Sequence, residues 1–164
     1  MLTDQSIQPP NGGIDPHPHR VLVTVQEATR AIGDLVAFDM SNADAAVDNM
    51  SLGSASSGLS NVRTIDAEDL FYGQLCVMQE AVTDGQQGYA IYRGRCKAKV
   101  QKGTGDIAIG DPLYVGTAGY LDADATAAGT KIVARAAEAV TGPATATLAT
   151  VIFEGIFPLG IVPA

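Results

Sequence analysis

The sequence predicts an all-β domain: a small barrel or sandwich of short strands, with an extended N-terminal arm and a long Ser/Ala-rich loop. Three observations carry that prediction. From residue 74 onward, short apolar runs recur at close intervals, bounded by turn strings such as "TDGQQG", "KGTG" and "TGPA", the pattern of a barrel or sandwich. At 164 residues, with 46% hydrophobic and 17% charged side chains, the chain is long enough to bury one sizeable core. Ala and Gly are plentiful, Trp is absent and aromatics make up 5%, which suits closely packed strands and tight turns better than a large apolar ligand pocket.

The chain divides into an arm at 1–20, a β domain at 21–155 and an apolar tail at 156–164. The arm holds Pro9, Pro10, Gly12, Gly13, Pro16 and Pro18 without a hydrophobic period, so it is no core element. Fully extended it spans about 60 Å, enough to reach a neighbouring molecule. "RVLVTVQEA" reads as the first strand, with Val21, Val23 and Val25 on one face. Residues 41–61 are rich in Ser, Ala, Asn and Gly and read as a long loop. "DAEDLFYG" suits one helical turn capped by Asp66. The later strands are "QLCVMQEA", "GYAIYRGRCKAKVQ", "DIAIGDPLYV", "GYLDA", "KIVARAAEAV" and "TATLATVIFEG". "KIVARAAEAV" carries helix-favouring Ala and Glu, but its Gly-bounded ends and its length favour a strand.

The string Ala-Ile-Gly-Asp occurs twice, at residues 31–34 and 108–111. In the second copy Gly110 supplies positive φ, Asp111 bonds local amides, and Pro112 sends the chain out extended. The expected result is a corner between two strands feeding one core, with Ile107 and Ile109 on one face and Leu113 and Val115 returning to it. Gly33 and Asp34 would form the same corner without the proline. Duplication and coincidence both remain open as the origin of the pair.

A net charge of −8 argues against a duplex DNA partner. Half of the ten Lys and Arg residues nevertheless fall in one stretch, as Arg93, Arg95, Lys97, Lys99 and Lys102. Cys96, Ala98 and Val100 alternate with Arg95, Lys97 and Lys99, the pattern of a half-buried strand with a solvated face. A guarded sheet edge or a contact with an acidic partner surface would use the same pattern. The first ten residues, "MLTDQSIQPP", have no basic or apolar leader character. Cys76 and Cys96 are therefore expected to be reduced core residues. Gly155, Pro158, Gly160 and Pro163 break the apolar C-terminal stretch, which argues against a membrane span.

Little reactive chemistry is visible, and neither an enzyme, a metal nor a cofactor is expected. The histidines, His17 and His19, both lie in the arm; with Asp15 they make at most a partial metal site. Asp122 and Asp124 read as a turn, since nothing completes a calcium loop. "YRG" at 92–94 faintly resembles the dUTP pyrophosphatases, but Tyr89 stands where that family carries its sugar-binding Asp.

Across roughly residues 74–155 the order of pieces resembles the capsid decoration, or cement, proteins of tailed phages. The pieces are the "IAIGDPLYV" corner from Ile107 to Val115, the "TAGYL" hairpin from Thr117 to Leu121, the Ala-rich strand from Ala134 to Val140 and the apolar strand from Ala146 to Phe153. The resemblance implies a β-tulip-like, noncatalytic protein, often trimeric, assembled in the host cytoplasm. It would sit on the outside of the expanded head and clamp major capsid subunits, without contacting nucleic acid or membrane. Contacts would then fall to Pro9, Pro10, His17 and His19 in the arm, Arg93, Arg95, Lys97 and Lys99 on the basic strand, and Phe157, Leu159 and Ile161 in the tail. A carbohydrate- or receptor-binding virion module is the alternative, weakened by the scarcity of aromatic stacking platforms.

Overall fold

The computed structural model describes residues 18–38, 60–65, 75–116, 119–124 and 132–154. They form nine strands: β1 (His19–Val25), β2 (Leu35–Phe38), β3 (Ser60–Arg63), β4 (Leu75–Met78), β5 (Gln87–Gln101), β6 (Pro112–Val115), β7 (Leu121–Asp122), β8 (Ile132–Ala136) and β9 (Thr147–Phe153). The class is all-β, as the sequence predicts. Its form follows from one long strand, the 15-residue β5.

The first half of β5 pairs with β1 and β4, and its second half with β9 and β7. Each half thereby closes a ring. In the first ring β1 runs parallel to β3, and the pairings β3–β2, β2–β4, β4–β5 and β5–β1 are antiparallel. In the second, β5 runs parallel to β7, and β7–β6, β6–β8, β8–β9 and β9–β5 are antiparallel. The chain is therefore a tandem repeat of one five-strand unit, with β5 serving as the last strand of one copy and the first of the next.

Backbone hydrogen bonds repeat with the topology. Arg30 and Val82 exchange N–H···O bonds of 2.8 and 2.9 Å, and Ile107 and Val140 exchange bonds of 2.9 Å. The Gly33 amide donates to the Met78 carbonyl and the Gly110 amide to Ala136, each at 2.8 Å. Gln79 donates to Tyr89 at 3.0 Å, and Ala137 to Thr150 at 2.9 Å. The duplication left open by the sequence is thus a structural fact, extending well beyond Ala-Ile-Gly-Asp.

Two packed clusters fill the molecule. Val23, Val25, Val36, Val62, Cys76, Met78, Val82 and Ala90 line one face of the first ring. The opposite face of the same strands, with Leu35, Ala37, Leu75, Val77 and Ile91, joins the core of the second ring, which includes Ala98, Val100, Leu113, Leu121 and Phe153. All four residues of β4 are buried, because both of its faces meet apolar neighbours. That explains the unbroken apolar run "LCVM", where a half-exposed strand would alternate.

Several expectations change in detail. The arm ends earlier than residue 20, because His19 and Arg20 pair with β5. Ser60 and Asn61, expected in the loop, belong to the strand Ser60–Arg63, which its polar composition conceals. Ile107 is buried but Ile109 is 71% exposed, so the two do not share a face: Ile109 sits at the turn itself, where alternation fails. At its lysines β5 pairs with β9 on one side and meets the Gly33 carbonyl and the Gln79 side chain on the other, which removes the guarded-edge reading. Within "KIVARAAEAV", Ile132–Ala136 is a strand, the chain bends at 137–138, and Val140 bridges to Ile107. The expected helical turn at Asp66 lies outside the described residues.

Candidate functional site

The two corners are tight turns built by the same four residues. The Asp34 amide bonds to the Ala31 carbonyl at 3.2 Å and the Asp111 amide to Ala108 at 3.1 Å, while Gly33 and Gly110 take φ of +83° and +90°. A positive φ at the third residue alone defines a type II turn, which glycine satisfies without strain. Each Asp side chain then locks its turn, accepting the Ala31 amide at 2.8 Å or the Ala108 amide at 2.9 Å. Gly33, Asp34, Gly110, Asp111 and Pro112 thus hold the structural places expected of them.

What lies over the corners differs. The first is covered by the second ring: the Lys99 amide donates to the Gly33 carbonyl and the Leu35 amide to the Gly119 carbonyl, both at 2.8 Å. The Lys99 ammonium pairs with Asp34 at 2.5 Å, and the Gln79 side-chain Nε2 donates to the Lys97 carbonyl at 3.1 Å. At the second corner the described residues supply no such cover. Pro112, which starts β6 where Leu35 starts β2, has no N–H to satisfy. Arg135, in the place of Val77, donates to the Gly110 carbonyl at 3.1 Å. Polar finishing of an end unit is how repeat folds avoid an uncovered joint.

Among the described residues, the outer face of the second ring mixes arginines with partly exposed apolar side chains. Pro112, Arg135, Ile152 and Arg95 are successive cross-strand partners, and Tyr114 faces Ile132 beside them. The matching row in the first ring is Leu35, Val77, Ile91 and Arg20, whose three apolar members are buried. On the second ring Ile132 is 40% exposed, and Ile109 stands at its edge.

The basic strand alternates as read, with Cys96, Ala98 and Val100 buried and Arg93, Arg95 and Lys97 exposed. Its lysines are committed to acids of the chain: Lys97 to Glu138 at 3.0 Å and Lys99 to Asp34. Among the described residues, no carboxylate pairs with Arg93 or Arg95. Glu138 also accepts the Thr150 amide at 2.7 Å and the Thr150 hydroxyl at 2.8 Å. The Thr150 amide foremost, then Lys97, holds its carboxyl down to about 2.

His19 packs its ring 5.7 Å from that of Tyr92. Pro9, Pro10, His17, Phe157, Leu159 and Ile161 lie outside the described residues. Asp122 and Asp124 stitch backbone together, accepting the Asp124 amide at 2.8 Å and the Gly103 amide at 2.7 Å respectively. Among the described residues no three His, Cys, Asp or Glu side chains gather as a metal site. Both cysteines are buried free thiols; desolvation pushes Cys96 up to about 12 and Cys76 higher still.

The tandem repeat was not found by sequence reasoning. Its signal was present in "QEAV" and "AEAV", which follow the two corners in the same order. The first copy carries the long segment at 39–59, and this insertion hides the period.

No protein-family model and no curated protein matches the chain. Among solved structures, the chain is similar to the N base of the head fiber gp8.5 of bacteriophage phi29, with a TM-score of 0.51 and 13% identity. The match covers 84% of this chain and 94% of that one. At this identity the likeness establishes the shared fold.

Proposed function

We propose that this protein is a noncatalytic structural component of a tailed-phage virion, a decoration or cement protein that binds the outside of the expanded head and bridges major capsid subunits. The observation that carries the reading is the fold likeness to a phage head-fiber base, which takes in nearly the whole of that chain. The order of corner, hairpin, Ala-rich strand and apolar strand supports it independently. Stabilisation of a shell by such a protein comes from many modest contacts multiplied by copy number, with no need of a reactive site.

Arg93 and Arg95 supply exposed cations for an acidic capsid surface, while the lysines beside them are paired, Lys97 with Glu138 of the second ring and Lys99 with Asp34 of the first corner. The proline-rich arm reaches to an adjacent subunit, and the protein acts as a homotrimer. Cosedimentation of the purified protein with matching capsids, before and after expansion, tests the reading, with the solution mass measured in parallel. Saturable binding confined to expanded shells, by a trimer, is the expected result. A protein that ignores both shells overturns it. Removing residues 2–17 should weaken capsid binding while leaving the strands intact.

The same neighbour favours one second reading, the base of a virion-surface fibre or adhesion module. Glycan binding without capsid affinity would decide for it.

A further inference from the structure

The cations of β5 divide by residue type. Lys97 and Lys99 are taken up inside the chain, by Glu138 and by Asp34. Arg93 and Arg95 are exposed and pair with no carboxylate among the described residues. Alternation puts both on the outer face of the second ring. Across β9 and β8 that face runs from Arg95 through Ile152 to Arg135, which is exposed as well. With neighbouring strands about 4.8 Å apart, the Arg95 and Arg135 backbones stand about 10 Å from each other. Both guanidinium groups therefore reach the space over Ile152. The bond from Arg135 to the Gly110 carbonyl, at 3.1 Å, orients its side chain and takes up one of five N–H donors.

Glu154, exposed two residues past Ile152, offsets one of these three charges. The face remains cationic in a chain whose net charge is −8. Arginines set this close repel one another until an anion sits among them. In the first ring the same row reads Leu35, Val77 and Ile91 and is buried, so this side of the five-strand unit is a contact face there. In the second ring Arg135 replaces Val77, which makes the matching surface acidic. Ile152 and Tyr114 are half-buried, and Ile132 and Ile109 are exposed. Arginine beside aromatic and aliphatic side chains suits a protein partner better than a phosphate backbone, which has nothing to set against the isoleucines. The planar guanidinium fork also matches a carboxylate with two parallel hydrogen bonds.

We propose that Arg93, Arg95 and Arg135, grouped around Ile152, form a docking face for a carboxylate-bearing segment of the major capsid subunit. The arginines take its carboxylates, and Ile132 and Ile109 take its apolar side chains. This rests on the virion reading and narrows it: the arginines bind the shell, and Lys97 and Lys99 do not.

The test uses expanded capsids as the probe, with affinity read by cosedimentation. Arg95→Glu combined with Arg135→Glu should weaken binding at least about 100-fold, at about ten-fold for each charge-assisted pair lost. Lys102→Glu is the control of equal charge change. Lys102 lies past the far end of β5, its ammonium on the Asp106 carbonyl at 2.7 Å, and its variant should bind as the wild type does. Equal binding by the double variant and the wild type overturns this proposal while the virion reading stands. A wild-type protein that ignores the capsids overturns both. A second measurement needs no variant: wild-type binding should fall at least about ten-fold between about 0.05 and 0.5 M salt, as the ion pairs are screened. Salt-independent binding refutes the docking face. An oligothymidylate bound as tightly as the capsid, and lost in the double variant, gives the face to nucleic acid and overturns the acidic protein partner.

Discussion

Gly33→Ala and Gly110→Ala, made separately, turn the difference between the two corners into a measurable free energy. Both glycines hold the same place in the same turn, with φ of +83° and +90°. A β-carbon in that left-handed region costs about 1–2 kcal/mol in either copy. Among the described residues only Gly33 is covered: its new methyl would stand 2.5 Å from Leu148 Cδ1, 2.9 Å from the Lys99 nitrogen and 3.2 Å from the Ala98 carbonyl carbon. Leu148 can swing aside, being 45% exposed, but the other two atoms are β5 backbone. Pushing that backbone away adds an overpacking cost of about 1–3 kcal/mol. Gly110→Ala should therefore lose about 1–2 kcal/mol and Gly33→Ala about 2–5 kcal/mol. For a chain of this size the midpoint falls about 2–4 °C per kcal/mol, so melting curves resolve the two. Urea unfolding followed by far-UV circular dichroism gives the same comparison, provided the slope is unchanged. Equal losses in the two variants would refute the packing of the first corner on β5.

Two further outcomes follow from the site geometry. Glu138 has its carboxyl pKa lowered from 4.5 to about 2 by the Thr150 amide and Lys97. Its contribution is thus present above the unfolded value and is lost as pH falls from about 4.5 toward 2. The thermal midpoints of the wild type and Glu138→Gln should converge across that window, and a pH-independent gap would contradict the assignment. With both thiols buried and shifted upward, a soluble thiol reagent at pH 8 should label neither Cys76 nor Cys96 in the folded protein and both in denaturant. Prompt labelling of either would show that its cluster opens.

The determinants of class were local and therefore legible. Alternation in "RCKAKV" set the buried and exposed faces of β5 correctly, and Gly110, Asp111 and Pro112 specified a turn through φ and side-chain bonding alone. Where local pattern was overridden, the cause was contact between distant segments. Ile109 has the spacing of a core residue but sits at the turn, and "LCVM" is uninterrupted because two rings cover β4. Ser60–Arg63 is polar at its ends, and pairing with β1 and β2 makes it a strand.

By itself, then, the sequence determined strand class, the two corners and the reduced state expected of the thiols, because each depends on neighbours along the chain. The tertiary structure alone decided that β5 belongs to two rings, that the Ala-Ile-Gly-Asp strings mark a repeated unit, and that β5 covers one corner while no described residue covers its copy in the same way. Those facts are register relations between residues far apart in the chain. An insertion between β2 and β3 in one copy erases their periodicity while leaving the hydrogen bonds unchanged.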